Sequence, residues 1–145
     1  IDRSIWGLLS GTATFSSKGL IRSGSAKLSL SDCRVTLISP LIPVDQLTFE
    51  NVETELGLNN RKFEIKKCNL KGQQVNGTIT GFVTLNNPIG KSRLNLNGII
   101  KPHHVFLAEL KKNLPANLLP KKRPGAGGFR IRLKGTIEAP GFDFY

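Results

Sequence analysis

The 145 residues are one domain's worth of chain, long enough to build a core without metal or disulfide staples. A hydrophobic fraction of 39%, spread along the whole length in patterned segments, excludes a disordered polypeptide, and no run approaches the roughly 18 to 20 apolar residues of a membrane-spanning helix. Twenty-one Lys and Arg against ten Asp and Glu give a net charge of +11, which favours an acidic partner: nucleic acid, anionic lipid head groups or an acidic protein face.

Alternation of period two marks half-buried strands, and it recurs along the chain. Gly11 to Phe15 and Ala26 to Ile38 read as the first strands, the second with Ala26, Leu28 and Leu30 on one face. Its register shifts near Asp32-Cys33, which predicts a bulge or bend there. The most apolar stretch, Val35 to Val44, is broken by Pro40 and Pro43. Val52, Thr54, Leu56 and Leu58 then share a face, and Asn59-Asn60 followed by Phe63 and Ile65 reads as a tight hairpin. After a loop at Lys71 to Gln74, Val75, Gly77, Ile79, Gly81, Val83 and Leu85 alternate again. The turn from Asn86 to Gly90 leads into Leu94, Leu96, Gly98 and Ile100, completing four consecutive strands of an antiparallel meander.

One helix interrupts the pattern. Pro102 suits its first turn, Phe106, Leu107, Leu110 and Leu114 give an apolar stripe at helical spacing, Lys111 and Lys112 complement its C-terminal dipole, and Pro115 ends it. The stripe suits docking on the sheet, or a gate over an apolar groove. Lys121, Lys122 and Arg123 lead into Pro124 to Gly128, which reads as an exposed, mobile basic loop. Phe129, Ile131, Leu133, Gly135 and Ile137 form the last clear strand, whose other face carries Arg130, Arg132 and Lys134.

The phrase Leu-x-Gly recurs inside these strands, at Leu9-Ser10-Gly11, Leu70-Lys71-Gly72, Leu96-Asn97-Gly98 and Leu133-Lys134-Gly135. Glycine in a strand marks a bend, a bulge or the close approach of another backbone, so a curved sheet is expected.

No catalytic constellation stands out. His103 and His104 are adjacent and point to different sides, poor geometry for one metal. The glycines after Lys121-Lys122-Arg123 lack the Gly-Lys-Ser/Thr of a phosphate loop and are followed by a strand. A Gly-x-Ser-x-Gly elbow is absent, and Glu53 and Glu55 suit the solvent side of their strand better than an acid and base pair. Nucleic-acid binding rests on charge alone, because Trp6 and Tyr145 are the only Trp and Tyr and most Phe residues fit the apolar pattern. Cys33 and Cys68 can form a disulfide only if their strands are neighbours; otherwise they are small buried hydrophobes. These readings describe a chain that is not an enzyme and needs no cofactor.

The segments Gly77 to Leu85, Leu94 to Ile100 with the helix after it, and Ile131 to Phe142 resemble the C-terminal part of the type II secretion system protein N family. That family is similar in turn to the AsmA-like envelope proteins, which use the same Leu-x-Gly strands. The resemblance implies a bacterial periplasmic domain, anchored in the inner membrane by a helix that would precede Ile1, with other secretion proteins as partners and no catalytic residues. The absence of methionine even at position 1 fits a fragment or a processed chain.

The expectation is therefore an all-β single domain over 1–145: a mostly antiparallel, strongly twisted or curved sheet or sandwich, with one short α-helix near residues 103–114. Its expected role is an interaction module of a protein-export apparatus, using strand edges and the basic residues Lys121, Lys122, Arg123, Arg130, Arg132 and Lys134. The alternative is a lipid-handling module whose apolar trough is gated by Phe106, Leu107, Leu110 and Leu114, with anionic lipid as a further partner.

Overall fold

The structure is a computed structural model that describes residues 5–36, 45–113, 116 and 127–145. Eight strands follow one another: β1 (Ile5–Lys18), β2 (Ile21–Thr36), β3 (Gln46–Asn59), β4 (Lys62–Gly72), β5 (Val75–Thr84), β6 (Arg93–Pro102), β7 (Phe129–Thr136) and β8 (Pro140–Phe144). Helix α1 (His104–Asn113) lies between β6 and β7. All eight strands belong to one antiparallel sheet in which spatial order equals chain order, so every strand pairs with its sequence neighbours and β1 and β8 are the two edges. The described strands therefore form a curved, open, single-layer sheet, and the sandwich option does not apply.

Local chemistry explains the meander. Two-residue turns connect β1 to β2, β3 to β4 and β4 to β5. Gly19 (φ 59°) and Asn60 (φ 52°) supply the left-handed backbone of the first two, conformations that glycine and asparagine tolerate best. Asn60 also holds the neighbouring strand: its side-chain oxygen accepts from the Arg22 N–H at 3.0 Å, and its own N–H donates to the Arg22 carbonyl at 2.6 Å.

The predicted bulge at Asp32 is present and has a partner. β2 carries one extra residue between its pairings Ser31–Leu8 and Arg34–Trp6, and Asp32 has φ 51°. On β3, Glu50 is likewise extra between the pairings Phe49–Gly72 and Asn51–Lys71. The two irregularities lie side by side, so β2 and β3 stay in step with each other while both slip against their outer neighbours. The slip changes the phase of alternation and keeps Leu30 and Cys33, and Val52 and Phe49, on one side. A third bulge, at Lys66, does the same for Ile65 and Cys68 in β4. Bulges add local twist, which supports the curvature expected from the glycines.

Three sequence expectations need correction. β1 and β2 are longer than alternation alone suggested, because the paired Ser16–Ser23 and Ser17–Arg22 continue the ladder to the turn. Pro102 closes β6 opposite Val75 and is not in the helix; at a ladder's end its missing N–H costs nothing. Ile137 is outside β7: the chain turns at Gly135 (φ 97°), Thr136 N–H donates to the Ala139 carbonyl at 3.2 Å, and the unanticipated edge strand β8 follows. The alternative left open for the cysteines is decided by topology: Cys33 and Cys68 lie on β2 and β4 with β3 between them, and both thiols are free. Two strand spacings of about 4.8 Å, with a stagger added, exceed the Cα separation of about 7 Å that a disulfide tolerates.

Candidate functional site: two unlike faces of one sheet

Pairing carries most of the apolar side chains of the eight strands to one side. Leu9 faces Leu30, which faces Val52, which faces Leu70. Further along the ladder Leu58, Phe63, Val83 and Leu94 make a second row, and Leu56 begins a third with Ile65. Leu96 faces Leu133, which faces Phe142; Ile131 faces Phe144. Three phenyl rings gather at the β8 edge, Phe142 and Phe144 with centroids 5.0 Å apart and Phe129 and Phe144 with centroids 6.1 Å apart.

This face has no second layer among the described residues. Among the described residues only Cys33 (3% exposed), Phe49 (7%) and Ile131 (8%) are buried hydrophobics, while the other apolar side chains of the middle strands are half-buried, shaded by their neighbours. Shading fails at the margins, where Leu9, Phe15, Phe142 and Phe144 are exposed. Among the described residues a core in the ordinary sense does not form, and the sheet presents a broad apolar surface. Burial in this setting pushes the Cys33 thiol above its ordinary value.

The reverse face is polar. Ser10, Ser29, Asn51 and Lys71 represent it on β1 to β4, with Ser29 Oγ donating to Asn51 Oδ1 at 3.1 Å. Glu53 and Glu55 lie here, as expected, in register with Ser29 and Lys27. Arg130, Arg132 and Lys134 project from β7 to this same side, opposite Ile99, Asn97 and Asn95 of β6. Arg132 Nε donates to Asn97 Oδ1 at 3.4 Å and its guanidinium sits 4.4 Å from the Tyr145 ring centroid. Among the described residues the ion pair is Lys71–Glu50, at 3.5 Å, so the three β7 cations have no carboxylate within 4 Å.

Three participants escaped the sequence reading. Phe82 breaks the pattern of the other phenylalanines by lying on the polar face, paired with Glu64 and Asn95, and Lys62 Nζ stands 4.2 Å from its ring centroid. Arg93, two residues before Asn95, joins Lys134 beside it. The out-of-phase position of Phe82 between Gly81 and Val83 was the available signal.

Helix α1 starts where the β4–β5 turn can hold it: His103 N–H donates to the Gln74 carbonyl at 2.9 Å. Phe106, Leu107 and Leu110 are half-buried, and no helix residue is fully buried. Leu114, Lys121, Lys122 and Arg123 lie outside the described residues. No helix among the described residues is long and apolar enough to cross a membrane.

No protein-family model matches this sequence, no curated protein is significantly similar to it, and no solved structure matches the chain. The chemistry of the two faces therefore carries the functional reading.

Proposed function

We propose that the chain is a non-catalytic module that holds lipid acyl chains against the apolar face of its sheet. The observation that carries this is one continuous apolar surface over eight strands, with no layer packed on it among the described residues. Covering such a surface is worth about 25 cal/mol per Å², which favours an apolar occupant over water. An acyl chain fits better than a polar small molecule, because few polar groups interrupt the face; Thr54, with its hydroxyl donated to Cys68 Sγ at 3.4 Å, is one of them. Native mass spectrometry of the protein extracted from membranes tests the reading: reproducible co-purified lipid is expected, and an unliganded chain that also takes up no added fatty acid would refute it.

A second reading, an interaction module of a secretion apparatus in the bacterial periplasm, is favoured by β1. This edge strand is 14 residues long and exposed throughout, with Trp6 and Leu8 on the polar face and Leu9 on the apolar one. It has a single charged residue, Lys18, and no proline, so little discourages a partner strand from adding to it. Cross-linking in native envelopes that recovers no secretion component would count against this role.

A further inference from the structure

The polar face of β4 to β7 contains a shallow depression of about 530 Å³ whose lining includes Phe82, Thr84, Arg93, Asn95, Lys134 and Thr136. Pairing explains why these groups converge. Lys62, Thr84, Arg93 and Thr136 form one cross-strand row, and Glu64, Phe82, Asn95 and Lys134 form the next. Arg93 and Lys134 are diagonal neighbours, about 7 to 8 Å apart at the backbone, close enough for both side chains to reach one anion. Arg132 and Arg130 extend the array along β7 at about 6.6 Å per two residues.

The charge of this region is one-sided. Lys62, Arg93, Arg130, Arg132 and Lys134 face Glu64 at one end of a row and Asp143, in register with Arg132, at another, and none of the five cations is ion-paired among the described residues. The opposite half of the same face is built differently: Lys27 faces Glu55, which faces Lys67, so cation and carboxylate alternate. Net charge alone would not sort the residues this way. Hydroxyl and amide groups of Thr84, Thr136 and Asn95 stand among the cations as hydrogen-bonding groups suited to phosphate oxygens.

We propose that this basic array docks the protein on an anionic bilayer, with Arg93 and Lys134 taking a lipid phosphate and Arg130 and Arg132 meeting its neighbours. A bilayer surface suits it because the cations lie on an extended sheet face and not in a closed cleft. Stacking chemistry for nucleic acid is thin: Phe82 is already covered by Lys62, and Tyr145 by Arg132. The array is on the opposite side of the sheet from the apolar face, so docking is independent of acyl-chain binding and survives if that reading fails.

Flotation with phosphatidylcholine vesicles, with and without about 30% phosphatidylglycerol, tests this on the intact chain. Binding is expected only to the anionic vesicles, weakening with salt. Arg93→Gln with Lys134→Gln should weaken it roughly tenfold or more, and Lys27→Gln with Lys67→Gln, which removes the same charge from the mixed half, by about threefold or less. Lysine acetylation of the unsubstituted chain gives a second readout: vesicles should protect Lys134 and leave Lys27 reactive. Equal losses in both double variants, equal binding to neutral vesicles, or unprotected Lys134 would overturn the proposal. So would full competition by millimolar glycerol phosphate, which would mean a soluble-phosphate site, or tighter, Arg93-dependent binding of a single-stranded oligonucleotide.

Discussion

Phe49 stands directly across from Gly72, and a Cβ on that glycine would lie 2.9 Å from the phenyl Cδ1. The same Cβ would meet the Val75 carbonyl at 2.6 Å and the Thr48 carbonyl at 2.9 Å, so neither ring nor backbone can simply move aside. Here the Leu-x-Gly phrase has a physical meaning: it leaves a space that the best-buried ring of the sheet fills. Gly72→Ala is therefore expected to destabilise the fold by about 1–3 kcal/mol, read from urea unfolding. A change below about 0.5 kcal/mol would show that the Phe49 contact is slack.

Stability should be concentrated in the middle and β7 side of the sheet. Ile131 is buried between Gly98 and Phe144, and Ile131→Ala is expected to cost about 2–4 kcal/mol. Phe15, larger but exposed on edge strand β1, should cost under about 1 kcal/mol when changed to Ala. The same unfolding assay separates them, and equal costs would mean that β1 is covered in solution.

The cysteines give a third test. Oxidation of the monomer should produce no intramolecular Cys33–Cys68 bond, and mass spectrometry should find no loss of two hydrogens. Native Cys33 should alkylate far more slowly than Cys68, because it is buried and its thiol is held above its ordinary value by desolvation. The sign for stability follows: the unfolded thiol ionises first, so the Cys33 contribution is full below the unfolded value and declines as pH rises past it. Cys33→Ala should remove that part of the alkaline decline, and an unchanged pH profile would show that other groups cause it.

The meander was legible because period-two alternation and Asn or Gly turns are local signals. The Asp32 bulge showed itself as a change of phase between Leu30 and Cys33, and the basic stripe of β7 was readable residue by residue. Other features were hidden for physical reasons. Ser16, Ser23 and Ser25 read as loop, although serine on the polar side of a paired ladder extends a strand as well as a turn. β8 has five residues and starts at Pro140-Gly141, which reads as turn chemistry. Openness was invisible altogether: Leu28, Leu56 and Leu96 alternate in the same way whether another layer covers them or not. The cluster of Lys62, Phe82, Arg93 and Lys134 spans four strands, and only register brings it together.

Photo-cross-linking with a fatty acid carrying a diazirine in its chain, followed by peptide mass mapping, asks directly what the open face does. Adducts are expected on Leu28, Leu56, Ile79 and Leu96, all half-buried on the apolar side, and competition with unlabelled fatty acid should remove them. Adducts confined to Ser10, Thr80, Asn97 and other residues of the polar face, or a pattern that unlabelled lipid does not diminish, would contradict an acyl-chain surface.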